Sequence, residues 1–286
     1  MPVATQPARL AAALAVLLAA VTGCAPQDET GTAAPAACTG PRPATRTPGT
    51  LTVGTDKPAY APWFQGDDPA DGKGFESAVA YAVAARLGFD RSAVRWRTVP
   101  FNNAVAPGPK DFDFDINQVS ISDERRRAVD FSSGYYSVRQ AVVALKDSPA
   151  AQATTAAGLK HARLGAQVGT TSLDVVNDVI RPDRQPAVFQ KNDYAKSALR
   201  NRQVDAVVVD LPTAFFITSA EVPEAKVVGQ FPATGARAEQ FGLVLDKGSR
   251  LTPCVSKAVD DLRGDGTLAR LEKQWLADAA GAPELR

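Results

Sequence analysis

The chain has 286 residues and a formal net charge of +1 at pH 7. This length suits one large domain or two lobes of ordinary size. The nearly balanced charge argues against a nucleic-acid partner and against strong attraction to anionic lipids.

An apolar run follows Arg9 near the N-terminus, extends from Leu10 to Val21 and ends at Thr22-Gly23-Cys24. A charged start, about a dozen apolar residues and small residues before a break are typical of a secretory signal. The run is shorter than the about 20 apolar residues that span a bilayer. Its Val-Thr-Gly-Cys ending resembles a bacterial lipobox. We therefore expect a lipoprotein signal peptide over 1–23 and a lipid on Cys24, which anchors an extracytoplasmic protein to the bacterial cell membrane. An ordinary signal peptide with an incidental cysteine is the alternative.

The next segment is rich in Ala, Pro, Thr and Gly and has no apolar period, so we predict a flexible tether over 24–49. Two cysteines remain besides Cys24, namely Cys38 and Cys254. In an oxidising compartment two cysteines are more often paired than free, which predicts a Cys38–Cys254 disulfide; two separate thiols are the alternative. No further ligands lie near them in the sequence to complete a zinc set, so we expect no metal site.

Strands alternate with helices in the first half of the remaining chain. A strand over 51–53 ends at Gly54-Thr55-Asp56, and after a Pro- and Gly-rich loop the apolar residues of 75–87 recur at helical spacing. Further strands are predicted over 94–96 and 114–117, the second entering a turn at 118–122. This alternation predicts parallel βαβ units.

A similar cycle follows in the second half. Its predicted elements are a strand over 162–168, a turn at 169–171, a helix over 172–180, a strand at 188–189, a helix over 194–200 and a strand over 204–209. The last strand is almost entirely apolar, as expected for a strand covered on both faces, and it ends at Asp210.

Two apolar segments, 138–145 and 241–245, have the length to cross between two lobes. A final helical pattern covers 253–276 and is interrupted at 264–266. We therefore predict a clamshell of two α/β lobes joined by two crossing strands. Lobe 1 comprises 50–142 and 236–280, and lobe 2 comprises 143–235.

Ligands of open α/β sheets bind beyond the carboxyl ends of the strands. In this chain those ends carry Asp56, Asn117 to Ser122, Thr170-Thr171 and Asp210, with Arg125 just beyond. Carboxylates, hydroxyls, amides and one arginine suit a small zwitterion, because an ammonium group needs a carboxylate and a carboxylate needs arginine and N–H donors.

Several spaced motifs occur together between Leu51 and Leu276. They are Gly54-Thr55-Asp56, Gly74-Phe75-Glu76, Ser120-Ile121-Ser122-Asp123-Glu124-Arg125-Arg126, Val129-Asp130-Phe131-Ser132, Tyr135-Tyr136, Gly169-Thr170-Thr171 and Val209-Asp210-Leu211-Pro212. In this order they resemble the family 3 bacterial extracellular solute-binding proteins of polar amino-acid ABC transporters. The resemblance implies a type II periplasmic-binding-protein clamshell with two doubly wound α/β lobes. It also implies a monomeric receptor without a cofactor, whose partners are an amino acid or close analogue and an ABC transporter permease.

The resemblance implies a role for each cleft residue. Arg125 would bind the ligand α-carboxylate with Ser120 and Thr171, and Asp210 would accept the α-ammonium. Tyr60 and Phe101 match aromatic positions on either side of the ligand side chain, and Asp56 would reach the end of that side chain.

Asn117 and Gln118 depart from the family, because many members have small residues or Ser/Thr at these positions. The two amides could read a polar ligand head or simply fill the cleft.

Each of these residues also has a structural interpretation. Arg125 could be a solvated helix arginine beside Arg126 and Arg127. Asp210 and Thr171 could cap helices. Asp56 could close a turn, and the two aromatic residues could belong to the core.

Two other classes of function remain open. One is an enzyme on the same fold, similar to prephenate or arogenate dehydratases; the other is a sensory ligand-binding protein. His161 is the only histidine and lies in a polar segment, and neither a Gly-x-Ser-x-Gly elbow nor a phosphate loop occurs. The sequence therefore favours a binding protein over an enzyme.

Overall fold

The computed structural model describes Met1, Cys38 and residues 42–232, 238–276 and 281–286. The predicted signal peptide, the lipid anchor at Cys24 and most of the predicted tether lie outside the described residues. None of the described helices is long and apolar enough to cross a membrane.

The first lobe is built on a five-stranded sheet with the order β2-β1-β3-β10-β4. Strands β1, β2 and β3 are parallel, whereas β10 is antiparallel to both β3 and β4. The strands are β1 (Leu51–Thr55), β2 (Val94–Thr98), β3 (Phe114–Asp115), β4 (Asp130–Ser137) and β10 (Gln240–Leu245). The parallel part confirms the βαβ units expected from the sequence.

Helices α1, α7 and α8 pack against this sheet around one apolar core. The helices of the lobe are α1 (Phe75–Arg86), α2 (Phe101–Val105), α3 (Asp123–Ala128), α7 (Thr252–Gly264) and α8 (Thr267–Trp275), with 3₁₀ turns at Pro69–Asp71 and Arg91–Ala93. Gly74 precedes α1 with a φ of 95°, and a Cβ there would collide with the backbone of Trp63 and Phe64. Only glycine therefore allows α1 to start this close to the preceding loop.

The second lobe repeats the plan of the first, with the strand order β7-β6-β8-β5-β9. Its strands are β5 (Gln140–Leu145), β6 (Leu164–Gln167), β7 (Ala187–Phe189), β8 (Ala206–Asp210) and β9 (Ala225–Gln230). Its helices are α4 (Thr171–Asp174), α5 (Asn192–Arg200) and α6 (Leu211–Phe216), with π-helical turns at Val175–Ile180 and Ile217–Glu221 and 3₁₀ turns at Pro149–Gln152 and Ala157–Leu159. Apolar clusters on both faces of the sheet bury β8, as its sequence predicts.

The sequence predicts that segments 138–145 and 241–245 cross between the lobes. In the structure the chain passes from one sheet to the other just before the strands that these segments form, β5 and β10. β4 pairs in the first sheet up to Ser137, and β5 pairs in the second sheet from Gln140 onward. The proposed lobe boundary after residue 142 therefore falls inside β5. On the return, β10 lies wholly in the first sheet. An apolar run identifies a buried strand but not the sheet in which it pairs, so the sequence placed the crossings a few residues too late.

The two ends of the described domain are fixed to different lobes. Cys38 forms a disulfide with Cys254 in α7, on the first lobe. The C-terminal residues 281–286 lie against β9 of the second lobe, where Gln230 Nε2 donates to Ala282 O at 2.8 Å and Leu285 is buried. Arg139, between β4 and β5, pairs with Glu284 at 2.9 Å.

Candidate ligand-binding site

A cavity of about 50 Å³ lies between the lobes at the carboxyl ends of β1, β3 and β8. All nine ligand-binding residues expected from the sequence line this cavity: Asp56, Tyr60, Phe101, Asn117, Gln118, Ser120, Arg125, Thr171 and Asp210. Seven of them come from the first lobe and two from the second. Residues that are up to 154 positions apart in the sequence, Asp56 and Asp210, therefore line one cavity. Their common position at the carboxyl ends of strands predicted this.

Arg125 reaches across the boundary between the lobes. It lies in the short helix α3, whose N-cap Ser122 accepts a hydrogen bond from the Arg125 backbone N–H. Its Nη1 donates to Ser120 O at 2.6 Å and its Nη2 donates to Gly169 O of the second lobe at 2.9 Å. Among the described residues no carboxylate forms an ion pair with it.

The neighbouring arginines behave differently. Arg126 and Arg127 are exposed, whereas Arg125 is half-buried and packs over the Phe101 ring at 5.5 Å from its centroid. Burial lowers the pKa of the Arg125 guanidinium, which nevertheless stays charged because its ordinary pKa is so high. The solvated-helix interpretation of Arg125 is therefore wrong, although it describes its two neighbours.

Hydroxyl groups from both lobes lie next to Arg125. Ser120 Oγ is 3.4 Å from Thr171 Oγ1 and donates to Glu239 Oε1 at 2.5 Å. The helix α4 is capped by Thr170, whose hydroxyl accepts from Leu173 N, and not by Thr171. The Thr171 side chain is thus free of a capping role and faces Ser120.

Gln140 connects the groups around Asp210. Its Nε2 donates to Asp210 Oδ1 at 2.8 Å and lies 3.3 Å from both Glu239 oxygens, while its Oε1 accepts from Ser172 Oγ at 2.6 Å. Gln140 and Glu239 lie just after the two chain crossings. The network therefore ties the crossings directly to the wall of the cavity.

Asp210 occupies the N-cap position of α6 but makes no capping hydrogen bond with its side chain. Burial, reinforced by the nearby negative charge of Glu239, raises its pKa to about 8, and the hydrogen bond from Gln140 opposes this rise. A cation placed beside Asp210 would favour the ionised form and lower that pKa. This carboxyl group is therefore poised to respond to a bound ammonium group.

The opposite part of the cavity combines a carboxylate and two aromatic rings. Asp56 accepts from Lys57 N at 2.6 Å and from Phe101 N, at the start of α2, at 3.2 Å, and it lines the cavity. Phe101 packs in a small core cluster as well as in the cavity wall. Tyr60 carries Lys196 Nζ over its ring at 4.7 Å, and its hydroxyl has no hydrogen-bond partner among the described residues.

Two amides follow β3 in the cavity wall. Asn117 is 7% exposed, and its Nδ2 has no partner within the described part of the chain. Gln118 adopts a positive φ of 50°, and its backbone N–H donates to Glu76 Oε1 at 2.7 Å. Asn117 thus contributes to the cavity wall a side chain whose buried amide donor makes no hydrogen bond within the described part of the chain.

Further contacts hold the lobes together beside the cavity. The buried Trp63 Nε1 donates to Thr213 Oγ1 at 3.0 Å, and Lys191 Nζ donates to Lys57 O at 2.6 Å. Each of these bonds joins the first lobe to the second. The structure therefore represents a closed arrangement of the two lobes.

The sequence did not identify Gln140 and Glu239, and it named Glu76 only as part of the family motif Gly74-Phe75-Glu76. Gln167 and Asn192, which line the cavity itself, were not identified either. Position at the end of a strand could have indicated Gln167, but Gln140 begins its strand and Glu239 precedes one. Across the described ranges, no group of three or more His, Cys, Asp or Glu side chains is arranged to hold a metal ion.

Comparison with known proteins identifies the family. The sequence model of the bacterial extracellular solute-binding proteins, family 3, matches residues 51–278. The chain belongs to this family. The family assignment confirms the expected type II periplasmic-binding-protein fold, which the two sheets of the structure display.

Relatives of this family 3 protein bind amino acids. The L-cystine-binding protein TcyJ of Escherichia coli (strain K12) is 32% identical over 239 residues, which cover 79% of this chain and 82% of TcyJ. The structure of an ancestral arginine-binding protein bound to arginine superposes with a TM-score of 0.66 at 28% identity, covering 79% of this chain and 98% of that one.

A third comparison concerns the possibility of an enzyme. The ancestral amino acid-binding protein AncCDT-1, described as a precursor of cyclohexadienyl dehydratase, has a TM-score of 0.65 at 26% identity and covers 80% of this chain and 95% of its own. These three similar proteins are thus described as binding proteins, one of which is related to an enzyme.

Proposed function

We propose that this protein is a lipid-anchored extracytoplasmic receptor that binds a polar amino acid or a close analogue and delivers it to an ABC importer. The observation that carries the proposal is the convergence of Arg125, Ser120, Thr171 and Asp210 on one cavity between the lobes. These residues supply a cation and hydroxyl donors beside a carboxyl group, as the two charged ends of an α-amino acid require.

Arg125 is the group that binds the ligand carboxylate. It is held in place by two backbone carbonyls, one from each lobe, and no carboxylate of the described residues neutralises it. Its planar fork can form two parallel hydrogen bonds with a carboxylate. The hydroxyls of Ser120 and Thr171 lie beside it and complete the set of donors.

Asp210 binds the ligand ammonium group. Its raised pKa reflects a buried carboxyl group without a cationic partner in direct contact. An ammonium group in this position would restore the ionised form and offset the cost of burial. Gln140 fixes the orientation of the carboxyl group through the 2.8 Å hydrogen bond to Oδ1.

The distal part of the cavity accepts a polar side chain. Asp56, Asn117 and Gln118 surround it with oxygen acceptors and an unpartnered amide donor, and Tyr60 and Phe101 supply flat apolar walls. The names of the relatives, which include L-cystine- and arginine-binding proteins, support a ligand whose side chain ends in a polar group.

Delivery follows from closure of the lobes. Ligand contacts from both lobes stabilise the closed form, which then docks on the permease. The lipobox-like sequence ending at Cys24 supports attachment to the membrane. We expect a monomer.

A screen of the amino acids, L-cystine and small amines by thermal shift tests the proposed function. A true ligand at 100 times its Kd stabilises the folded protein by about 2.7 kcal/mol. The dehydratase alternative is tested in parallel by incubation with prephenate. If the protein turns over prephenate and no amino acid raises its melting temperature, the receptor function is refuted and the dehydratase function is supported.

A further inference from the structure

Gln118 has a backbone conformation that few residues with a side chain adopt. Its φ of 50° lies in the left-handed region, which favours glycine, asparagine and aspartate. It follows β3 and forms part of the cavity wall. Something outside the residue itself must therefore hold it in this conformation.

The group that holds it is the carboxylate of Glu76, in the first turn of α1. Glu76 Oε1 accepts from the Gln118 backbone N–H at 2.7 Å, and Glu76 Oε2 accepts from the Gln118 side-chain Nε2. The Tyr135 hydroxyl is the third donor to the same carboxylate. Glu76 is fully buried, so it contacts no ligand and acts only through the groups that it binds.

These contacts determine which face of the Gln118 amide is available. Burial raises the pKa of Glu76 to about 7, and the hydrogen bonds from Tyr135 and Gln118 oppose this rise. Above that pH the carboxylate is ionised and only accepts hydrogen bonds, so the NH₂ group of the amide must face Glu76. The carbonyl oxygen Oε1 then points away from Glu76, and no donor of the described residues occupies it. At this position the cavity wall therefore presents the hydrogen-bond acceptor Oε1 of Gln118 and not its NH₂ donor.

We propose that Glu76 is a positioning residue for specificity, which orients the Gln118 amide so that its carbonyl oxygen selects ligands with a hydrogen-bond donor at the distal end. The inference rests on the proposed function, because it assumes that an amino-acid side chain extends into this part of the cavity. Asp56 in the same wall adds a second acceptor, which favours the same class of ligand.

Glu76→Gln tests the orientation, since it keeps the shape of the side chain but replaces one acceptor oxygen by an NH₂ group. The remaining oxygen still accepts from the Gln118 backbone and from Tyr135. The Gln118 amide must then turn its oxygen toward the new NH₂ group and its own NH₂ group toward the cavity. L-arginine serves as the probe with distal donors and L-glutamate as the probe with distal acceptors.

Calorimetric titration with both probes gives the preference as a ratio of dissociation constants. We expect Glu76→Gln to shift this ratio toward glutamate by about tenfold, the effect of one hydrogen bond to a charged group. Loss of the buried charge alone would also favour glutamate. We therefore repeat the substitution in a Gln118→Leu background, where only the charge effect remains. An equal shift in both backgrounds would overturn the proposal, and so would equal weakening of both probes.

Nuclear magnetic resonance provides a test that needs no ligand. The side-chain NH₂ signals of Gln118 are assigned by their loss in Gln118→Leu. In the wild-type protein we expect their chemical shifts to differ from those of exposed glutamines. The Gln118 shifts should change in Glu76→Gln and stay unchanged in the control variant Gln203→Leu, whose substitution is at an exposed position. Signals at the position of free glutamine amides in the wild type would overturn the proposal. If no amino acid binds the wild type, the proposed function fails, and these spectra still decide the orientation.

A second variant covers the case in which Glu76→Gln does not fold. Gln118→Leu removes the acceptor directly without placing a new group in the core. It should reduce the preference for arginine over glutamate by about tenfold, by the same hydrogen-bond argument. An unchanged preference in this variant would show that Gln118 does not read the ligand, and Glu76 would then have no role in specificity.

Discussion

Replacing Arg125 by alanine should weaken ligand binding far more than it affects folding. The guanidinium is half-buried, it touches no carboxylate of the described residues, and both of its hydrogen bonds end on backbone carbonyls. In the bound protein it would face the ligand carboxylate in a closed cleft. Removing one partner of such a buried ion pair costs about 3–5 kcal/mol, much of it from the charge that loses its partner.

This cost translates into a measurable loss of affinity. At 1.4 kcal/mol per decade, Arg125→Ala should raise the Kd by roughly two to three and a half decades. Arg125→Lys should restore little of the loss, because an ammonium group does not form two parallel hydrogen bonds with a carboxylate. The melting temperature of the ligand-free protein should change little, since the guanidinium is solvated when the cleft opens.

Calorimetric titration with the ligand found by thermal shift measures the effect. Arg126→Ala and Arg127→Ala are matched controls from the same helix, because both side chains are exposed, and they should bind as the wild type does. A Kd for Arg125→Ala within about threefold of the wild type would refute the assignment of Arg125 to the ligand carboxylate.

Three further predictions concern the anchor, the disulfide and pH. Cys24→Ser should release the protein from the membrane without changing ligand affinity; retention at the wild-type level in a fractionation experiment would contradict the lipobox interpretation. Reduction of Cys38–Cys254, which are 216 positions apart, should lower the free energy of unfolding by up to roughly 5 kcal/mol in denaturant titrations; two alkylatable thiols in the denatured, unreduced protein would show that the bond is absent. Because the pKa of Asp210 in the ligand-free closed form is raised to about 8, an ammonium ligand must displace a proton below that pH, so affinity should rise by up to about tenfold per pH unit between pH 6 and 8. Asp210→Asn should remove this dependence, and an equal slope in the variant would assign the proton to another group.

The cavity could be predicted from the sequence because its residues follow strands. Asp56 directly follows β1 of the first sheet and Asp210 ends β8 of the second. In each sheet the parallel strands bring their carboxyl ends to one edge, and both edges face the cavity. The resemblance to the family added the aromatic positions and assigned Arg125 to the ligand carboxylate, which strand ends alone do not indicate. Local signals and spaced motifs together were therefore sufficient to find the wall of the cavity.

The network behind the wall could not be predicted in the same way. Gln140 and Glu239 contact the lining residues Asp210 and Ser120 because the chain changes sheets beside them. Nothing in the apolar runs that follow them reveals where that change occurs. Glu76 lies at the start of a helix, where an acidic residue ordinarily interacts with the helix dipole. Its contact with Gln118 depends on a left-handed backbone conformation that the sequence does not announce in a glutamine.

The disulfide determines how the protein would respond to mechanical tension. All ten described strands lie between Cys38 and Cys254 in the sequence. A force applied between a surface at the N-terminal side and the C-terminus therefore passes through the sulfur bridge into α7. The covalent path then runs through α7, α8 and the C-terminal residues, and the contacts of those residues with β9 pass part of the load to the second lobe. In an oxidised molecule the pull therefore bypasses β1, whereas after reduction the same pull would unravel β1 and the first lobe from its N-terminal end.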